Sequence, residues 1–263
     1  LLTGNFYNNV LEGMDGNDTL WGGFLNQFVG PNADELRGGA GDDTYYFEAL
    51  NGRATISDVS TTGELNALQF GASIRPSDLV FVESVGQLTI SVLSTGDHII
   101  LADFDPTNQN GSLVTGRVEF TGSLRQSVSD FQIALDDLLD QTLGTEDNDV
   151  VTGTSAVDAI NAGAGDDQIT GGAGNDVLMG GAGSDTYWWN LGDGLDLIDD
   201  QRGPGELNRV IFGAGIDSGT VGLESTGSGD SLTLRVGSEG LVLMGAMTSI
   251  DTFEFADGTT LSL

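Results

Sequence analysis

The amino-acid sequence predicts an all-β protein of two tandem units, each a parallel β-roll followed by an antiparallel β segment, with one connecting helix. Two observations predict this class: a nine-residue period between Gly144 and Trp188, and a match between the two halves of the 263-residue chain at a constant offset. The predicted domains are residues 1–122, with the first roll and β segment, a helical linker at 123–143, and residues 144–263, with the second roll and β segment.

The nine-residue period repeats one acidic and one apolar position. The acidic position is held by Asp149, Asp158, Asp167, Asp176 and Asp185. The apolar position, two residues later, is held by Val151, Ile160, Ile169, Leu178 and Tyr187. The glycine-rich start of each repeat permits positive φ and close approach of neighbouring coils, so the first six residues predict a turn. The last three residues predict a short strand whose apolar side chain points inward and stacks on its equivalent two repeats later, which gives a parallel β-roll.

The stacked acidic residues predict a metal. In such a roll the Asp of one turn would lie about 5 Å from the Asp of a stacked turn, where bare carboxylates repel each other. Calcium suits this position because it takes six to eight oxygens from carboxylates and backbone carbonyls with tolerant geometry, whereas magnesium retains its waters. The alternative is a series of ordinary Asp-Gly turns in a β-protein, and five copies in phase favour calcium.

The composition agrees with calcium-dependent folding. The chain has 40 Asp and Glu residues against 8 basic residues, a formal charge of −32. Such a charge excludes nucleic acid as a partner and opposes compaction unless cations neutralise it. The absence of Cys excludes disulfides, thiolate metal sites and thiol nucleophiles. No apolar run approaches the length of a membrane span, so we expect a soluble segment or processed piece.

The first half contains a less regular copy of the same array of repeats. Its acidic position is held by Asp18 and Asp43 in two good copies, and by Asn9 and Asp34 in two poorer ones. The long spacing between Asp18 and Asp34 predicts a seven-residue insertion around residues 24–30, where the roll would bulge.

The halves match beyond the repeats at an offset of 142 residues, which indicates an internal duplication. The matched positions include Asp43 with Asp185, Tyr45 with Tyr187, Ile56 with Ile198, and Glu64-Leu65-Asn66 with Glu206-Leu207-Asn208. Alternating apolar residues at 88–92 and 232–236 predict antiparallel strands. Between the units, residues 127–141 place apolar side chains at helical spacing behind the candidate caps Ser127 and Ser129, and predict one amphipathic helix.

Two copies of the repeat are the cleanest. They read GGAGNDVLM at residues 171–179 and GGAGSDTYW at residues 180–188, and both match the pattern G-G-x-G-x-D-x-U-x. This pattern resembles the calcium-binding nonapeptide repeat of RTX (haemolysin-type) exoproteins. Residues 208–216 and 253–259 also resemble the domain related to haemolysin-type calcium-binding repeats, so the resemblance covers nearly the whole chain.

The resemblance implies a ligand set in which turns n and n+2 share one ion. One turn would give its Asp and the carbonyls of positions 2 and 4, and the other its Asp and the carbonyls of positions 1 and 3. The implied pairs are Asp149 with Asp167, Asp158 with Asp176, Asp167 with Asp185, Asp18 with Asp43, and Asn9 with Asp34, the last of which lacks one charge. The implied metal residues are Asp18, Asp34, Asp43, Thr145, Asp147, Asp149, Ala156, Asp158, Ala162, Gly163, Ala164, Gly165, Asp167, Gly171, Gly172, Ala173, Gly174, Asp176, Gly180, Gly181, Ala182, Gly183, Asp185, and the closing residues Asp193 and Asp196. The first unit has Asn51 and Ala54 in place of the closing residues, so we expect it to bind fewer ions.

Catalytic interpretations have weaker support. The tetrapeptide Gly229-Asp230-Ser231-Leu232 spells the nucleophile block of a lipase and esterase family, but a serine nucleophile needs a histidine base. The only histidine, His98, lies in the other unit, so we interpret the tetrapeptide as a turn that leads into a strand. A carboxylate dyad of a glycosidase would need a cleft that raises one pKa, and the sequence shows none. Aromatic residues 187–189 and 45–47 would form either a sugar-stacking platform or a cap on the last apolar layer of each roll.

Two functional hypotheses remain, and neither is an enzyme. The resemblance implies a non-catalytic module of a secreted or cell-surface protein, exported unfolded by a type I secretion system and folded by extracellular calcium. The alternative is a calcium-dependent surface, filament or adhesin protein, in which roll ends or strand edges join copies of the chain.

Overall fold

The structure is a computed structural model, and it describes residues 1–23, 33–58, 64–71, 73–84, 86–102, 104, 115–120, 131–133, 135–139, 141–200, 203–225, 231–244 and 250–262. The described chain divides into two compact units, the first ending at Asp136 and the second beginning at Asp137. Nearly all of its regular structure is β-strand, which confirms the all-β class. The insertion predicted at 24–30 lies outside the described residues. No helix in the described part of the chain has the length and hydropathy of a membrane span.

Twelve strands belong to the first unit. They are β1 (Leu2–Thr3), β2 (Val10–Asp15), β3 (Thr19–Trp21), β4 (Ala33–Ala40), β5 (Thr44–Phe47), β6 (Arg53–Ile56), β7 (Asn66–Phe70), β8 (Leu79–Ser84), β9 (Gln87–Val92), β10 (Asp97–Ala102), β11 (Thr115–Phe120) and β12 (Phe131–Ile133). A 3-10 helix at Pro76–Asp78 precedes β8.

Thirteen strands belong to the second unit. They are β13 (Thr142–Leu143), β14 (Val150–Thr152), β15 (Ala159–Ala164), β16 (Gln168–Thr170), β17 (Val177–Ala182), β18 (Thr186–Trp189), β19 (Leu195–Asp199), β20 (Arg209–Phe212), β21 (Gly222–Ser225), β22 (Ser231–Val236), β23 (Glu239–Met244), β24 (Thr252–Glu254) and β25 (Thr260–Ser262).

Each unit begins as a parallel β-roll, as the nine-residue period predicts. Consecutive strands alternate between two sheets, and each strand pairs in parallel with the strand two places further along the chain. In the second unit the sheet orders are β13-β15-β17-β19-β23-β22-β21 and β14-β16-β18-β20-β24-β25, and in the first unit they are β1-β3-β5-β7-β11-β12 and β2-β4-β6-β10-β9-β8. The register places Ile160 beside Leu178 and Leu178 beside Ile198, and all three side chains are buried. The apolar position of the repeat therefore builds the core between the two sheets.

Antiparallel strands continue both rolls, which confirms the predicted β segments. In the second unit β22 runs antiparallel to β21 and β23, and β23 returns to pair in parallel with β19. In the first unit β9 lies in the same way between β8 and β10, and β10 pairs in parallel with β6. The later strands thus extend the sheets that the repeats begin.

The connecting helix is shorter than the sequence predicts. Helix α1 spans only Leu135–Leu139, and Leu135 and Leu138 are buried. Residues Phe131–Ile133, which the helical spacing included, form β12 and pair antiparallel with β11. Phe131 and Ile133 also have the two-residue spacing of a strand, and their pairing satisfies backbone groups at the edge of β11 that a helix over the same residues would leave unpaired. Residues 127–130, which include both candidate caps, and residues 134 and 140 lie outside the described residues.

Candidate metal centres

The acidic residues of the second roll form two ladders along the stacked turns. The backbone N–H of each acidic residue donates to a carboxylate oxygen of the acidic residue two turns later. The hydrogen bonds run from Asp149 to Oδ1 of Asp167 (2.8 Å), from Asp167 to Asp185 (2.9 Å), from Asp158 to Asp176 (2.8 Å), and from Asp176 to Asp196 (3.0 Å). The structure therefore brings together the three acidic pairs that the resemblance implies, and it adds a fourth through Asp196.

The first roll has the same ladders in shorter form. The N–H of Asn9 donates to Oδ1 of Asp34, and the N–H of Asp18 donates to Oδ1 of Asp43, both at 2.8 Å. The position of Asp196 is taken by Ala54, which pairs with Asp34 in the strand register and has no carboxylate to offer. The poorer repeats are thus stacked like the good ones.

Sequence reasoning missed the residues that end one ladder in each roll. The N–H of Asp43 donates to Oδ1 of Asn66, and the N–H of Asp185 donates to Oδ1 of Asn208, both at 2.8 Å. Asn66 and Asn208 belong to the three-residue runs that match between the halves at the offset of 142. That match was the available signal, because an identical polar residue at a buried position needs a structural role.

The second carboxylate oxygen of four ladder residues has no hydrogen-bond partner in the described part of the chain. These atoms are Oδ2 of Asp43, Asp167, Asp176 and Asp185, and each residue is at most 1% exposed. A buried carboxylate oxygen without a partner is strongly unfavourable unless a cation neutralises it. The donor set of these turns therefore fits a cation.

Backbone carbonyl oxygens of both stacked turns lie close to the neighbouring turn. A Cβ atom placed on Gly172 would lie 2.0 Å from the carbonyl oxygen of Thr154, and one on Gly174 would lie 2.4 Å from that of Ala156. In the opposite direction, a Cβ on Gly153 would lie 2.1 Å from the carbonyl oxygen of Gly171. Carbonyls of positions 2 and 4 thus face the later turn, and the carbonyl of position 1 faces the earlier one. Only glycine leaves room for this approach.

The remaining residues of the implied ligand set lie in the same space between turns. Carbonyl oxygens of Ala162, Gly163 and Gly165 would lie 2.0, 2.0 and 1.9 Å from Cβ atoms on Gly144, Gly181 and Gly183. Thr145, Ala182 and Asp193 use their carbonyl oxygens to accept N–H groups of Ala164, Gly165 and Gly174 at 2.8–3.0 Å, and Ala173 donates to the carbonyl of Thr154 at 3.1 Å. Cβ atoms on Gly171 and Gly180 would lie 2.4 and 2.3 Å from Oδ2 of Asp176 and Asp185, and one on Gly165 would lie 2.8 Å from the carbonyl oxygen of Asp147.

Two threonines close the first turns of the second roll. Oδ2 of Asp149 accepts the N–H of Thr145 at 2.7 Å and its hydroxyl at 2.8 Å, and Oδ2 of Asp158 accepts the same groups of Thr154 at 2.7 and 2.9 Å. Local side-chain to backbone hydrogen bonds of this kind satisfy groups at the end of a repeating structure. Oδ2 of the first Asp of each ladder is therefore satisfied by protein donors, unlike Oδ2 of Asp167, Asp176 and Asp185 within the described part of the chain.

The two residues expected to close the second roll differ in their surroundings. Asp196 is 1% exposed and belongs to the ladder, and burial raises its pKa to about 8. Asp193 instead accepts hydrogen bonds from the backbone and side chain of Asn190, at 2.6 and 3.2 Å, within its own turn. Asp196 therefore continues the ladder of carboxylates, while the carboxylate of Asp193 accepts hydrogen bonds within its own turn.

Burial also raises the pKa values of other ladder residues. Desolvation raises the pKa of Asp176 and of Asp185 to about 6, against the lowering effect of the hydrogen bonds from the preceding ladder residue. The pKa values of Asp43 and Asp167 are raised for the same reason. No group of three acidic or histidine side chains converges within the described residues, so each candidate centre combines two side chains with backbone carbonyls.

The residues considered for catalysis lie in ordinary structural positions. Ser231 begins β22, and the Gly and Asp before it lie outside the described residues. His98 lies in β10 of the other unit, where its Nδ1 is 3.0 Å from Oγ of Ser91 on the neighbouring strand. Tyr187 and Trp189 are 1% exposed and belong to the core. These two aromatic residues therefore form a buried layer of the roll, whereas Trp188 between them is 39% exposed.

Comparison with known protein families identifies the nine-residue repeat. A model of the RTX calcium-binding nonapeptide repeat matches four copies, at residues 1–26, 29–52, 143–178 and 152–187. Among solved structures, the extracellular lipase LipA from Serratia marcescens is 16% identical with a TM-score of 0.23, over 92% of this chain and 37% of the lipase chain. A subunit of the mannuronan C5-epimerase from Azotobacter vinelandii is 26% identical with a TM-score of 0.20, over 44% of this chain and 82% of that one. A search of curated proteins finds no match.

The four matched copies fall into two groups, and each group coincides with one of the two rolls. These are the turns whose carboxylate and carbonyl oxygens face each other. The chain therefore carries the RTX calcium-binding nonapeptide repeat in both of its rolls.

Proposed function

We propose that this chain is a non-catalytic module of a secreted protein, exported unfolded by a type I secretion system and folded outside the cell by calcium. The observation that carries the proposal is the set of buried Oδ2 atoms without hydrogen-bond partners at Asp43, Asp167, Asp176 and Asp185. These atoms are satisfied when a cation binds, and are unfavourable in a folded chain without one.

The proposed ions lie between stacked turns. Three would be held by the pairs Asp149 with Asp167, Asp158 with Asp176, and Asp167 with Asp185, and a fourth would be closed by Asp196. Each would receive two carboxylates and the carbonyls of positions 2 and 4 of one turn and 1 and 3 of the other, which gives the six oxygens that calcium accepts. In the first unit only Asp18 with Asp43 supplies two carboxylates.

The charge of the chain makes calcium a folding switch. At a formal charge of −32, self-repulsion favours an expanded chain when calcium is scarce. Because the ligands converge only in the folded roll, the free energy of calcium binding contributes directly to folding. At the low calcium concentration of the cytosol the chain would stay unfolded and could pass through a narrow export channel. The higher extracellular calcium concentration would then fold it. We also propose that each of the two units folds as a separate domain.

The experiment that tests this proposal compares the protein in chelator and in millimolar calcium. We expect circular dichroism to show little ordered structure in chelator and a cooperative gain of β-structure on calcium addition, with a smaller hydrodynamic radius in sedimentation. Magnesium at the same concentration is the matched control, and it should leave the chain expanded. A native-like spectrum in chelator would contradict the proposal.

The non-catalytic part of the proposal is supported by the positions of Ser231 and His98. They lie in different units, and the described neighbour of His98 is a serine on the adjacent strand rather than an acidic residue that would orient it. Incubation of the calcium-loaded protein with ester and glycoside substrates tests this directly. Turnover that disappears in Ser231→Ala or His98→Ala would show that the chain is an enzyme.

A second candidate function is calcium-dependent self-assembly. The observation that favours it is the exposure of apolar side chains on the first strands of the second roll: Leu143 is 69% exposed and Val150 is 76% exposed. An unpaired strand edge beside exposed apolar residues is a template for another copy. Sedimentation equilibrium in calcium separates the two functions, because a monomer at every concentration excludes self-assembly and a concentration-dependent series of oligomers supports it.

A further inference from the structure

The side-chain amide of Asn9 lies between two stacked turns of the first roll and is surrounded by oxygen atoms. Its Nδ2 is 3.2 Å from the carbonyl oxygen of Asn5, 3.5 Å from that of Gly22 and 2.9 Å from Oδ1 of Asp34, and it also donates to the carbonyl oxygen of Tyr7. All four neighbours are acceptors. The surroundings therefore require the nitrogen, and not the oxygen, of the amide at this place.

These four neighbours are among the oxygens that the proposed ligand set assigns to one calcium ion. Asn5 and Tyr7 hold positions 2 and 4 of the first turn, and Gly22 and Asp34 hold position 1 and the acidic position of the turn stacked on it. An ion at an Asp turn would receive the same carbonyls and the same second carboxylate. The difference lies in Asn9, which brings two N–H donors and no charge where the other turns bring a carboxylate.

Distances within each turn show that the Asn9 amide nitrogen and a carboxylate oxygen of an Asp turn hold equivalent positions. A Cβ atom on Gly4 would lie 2.9 Å from Nδ2 of Asn9, and a Cβ atom on Gly13 would lie 2.9 Å from Oδ2 of Asp18. The amide nitrogen therefore takes the place that a carboxylate oxygen has in an Asp turn. It is attracted by carbonyl oxygens that would repel a carboxylate in the absence of a cation.

We infer that the Asn9 amide replaces calcium at this turn, so that the first stacked pair of the first roll closes without a metal ion. The inference rests on the proposed ligand set. It makes one end of the first roll independent of calcium, while the Asp turns that follow require it. It also predicts that a single change from amide to carboxylate creates a calcium site, because the carbonyl oxygens of Asn5, Tyr7 and Gly22 and the carboxylate of Asp34 already surround this place.

The test is the number of calcium ions bound by Asn9→Asp, measured by isothermal titration calorimetry on the full chain. We expect one more ion than in the wild type. The matched control is Asn8→Asp, which adds the same charge to the same turn; Oδ1 of Asn8 already accepts the N–H of Ala33 at 3.0 Å. This control should bind the wild-type number of ions.

The outcomes separate the inference from the proposed function. A wild type that binds calcium while Asn9→Asp gains no ion would overturn the inference and leave the proposed function standing. Absence of binding in both proteins would overturn both. A second measurement uses Asp34→Ala and Asp43→Ala: we expect only the latter to lose an ion. Loss of an ion in Asp34→Ala would show that calcium already occupies the Asn9 turn, and would overturn the inference.

Discussion

The hydroxyl group of Tyr187 donates a hydrogen bond of 2.7 Å to Oδ2 of Asp200, and Tyr45 makes the same contact with Asp58 in the first unit. Both tyrosines hold the apolar position of a repeat, and both acidic residues follow the strand that ends the run of repeats. A Cβ atom on Gly180 would lie 2.5 Å from the Tyr187 hydroxyl, so a glycine makes room for it. In each roll a tyrosine hydroxyl thus donates to a buried aspartate that follows the last of the stacked Asp turns.

Substitution of Tyr187 by Phe should destabilise the calcium-loaded second unit. Asp200 is 1% exposed, and removal of the hydroxyl leaves its Oδ2 without that donor. We expect the free energy of unfolding to fall by about 1–3 kcal/mol, with no change in the number of bound ions. Thermal unfolding in excess calcium, followed by tryptophan fluorescence, measures the loss.

The matched control for this change is Tyr7→Phe. Tyr7 is 62% exposed, so loss of its hydroxyl should change stability by less than about 0.5 kcal/mol. Equal stability of the Tyr187→Phe and Tyr7→Phe proteins would show that the contact with Asp200 contributes nothing.

Substitution of Asp167 by Ala should remove two calcium ions, because Asp167 lies in the middle of a ladder. Its Oδ1 accepts the N–H of Asp149, and its own N–H donates to Asp185, so it belongs to two of the proposed centres. Asp158 begins the other ladder and belongs to one proposed centre, so Asp158→Ala should bind one ion fewer than the wild type. Calorimetric titration counts the ions.

The neighbouring substitution Asp166→Ala serves as the control for charge. Asp166 is adjacent in sequence but its Oδ1 accepts the N–H of Ser184 at the exposed side of the turn. It should lower affinity slightly through the lost charge and leave the number of ions unchanged. If Asp166→Ala and Asp167→Ala lose the same number of ions, the ladder does not define the metal centres.

The roll was predictable because the acidic and apolar positions that indicate it recur every nine residues along the chain. A nine-residue period determines which residues stack, and the register of Ile160 with Leu178 follows from it. The facing carbonyls could not be derived from composition or period alone, because backbone carbonyl direction leaves no trace in side-chain chemistry; the implied set came from the family resemblance.

The roles of the polar residues at the ends of the ladders were harder to predict. Asn66 and Asn208 accept ladder hydrogen bonds across 23 residues of chain, a distance set by the insertions between turns rather than by the period. The helix over 127–141 was predicted too long, since periodicity alone does not reveal that the edge of β11 is available for pairing. Both gaps concern contacts between segments that are distant in sequence.

Substitution of Gly172 by Ala should disrupt the stacking of turns. Its φ is +100° and a Cβ would lie 2.0 Å from the carbonyl oxygen of Thr154, so both the backbone conformation and the space exclude a side chain. The strained φ costs about 1–2 kcal/mol and forced separation of the turns about 1–3 kcal/mol more. We also expect weaker calcium binding, because the separated carbonyls no longer face one ion. Unfolding in calcium and calorimetric titration measure the two effects.

The comparison with Gly205→Ala isolates the effect of close approach. Gly205 has a similar φ of +92°, but no atom of the described residues lies within 4 Å of its Cβ position. This variant should show the backbone cost alone and bind calcium as the wild type does. Should both variants lose equal stability and keep their calcium affinity, the carbonyl of Thr154 would not be part of a metal centre.

Lowering the pH should partly replace calcium as the folding signal. Burial raises the pKa of Asp196 to about 8, of Asp200 to about 7, and of Asp176 and Asp185 to about 6, from the ordinary value of 3.8. A carboxyl group whose pKa is higher in the folded chain binds more protons there, so it stabilises the folded state at low pH and loses that contribution as the pH rises through the folded pKa. In chelator, β-structure should therefore increase as the pH falls from about 8.5 to about 5.

Calcium and protons should compete for the same carboxylates, because the metal binds only their ionised form. The apparent affinity for calcium should therefore fall from pH 8.5 to pH 6, and binding near pH 7 should release protons, which titration in buffers of different ionisation enthalpy detects. Asp196→Asn removes the group with the highest pKa and should reduce proton release between pH 7 and 8. An affinity that stays constant over this range, with no protons released, would show that the buried ladder carboxylates are not the groups that bind calcium.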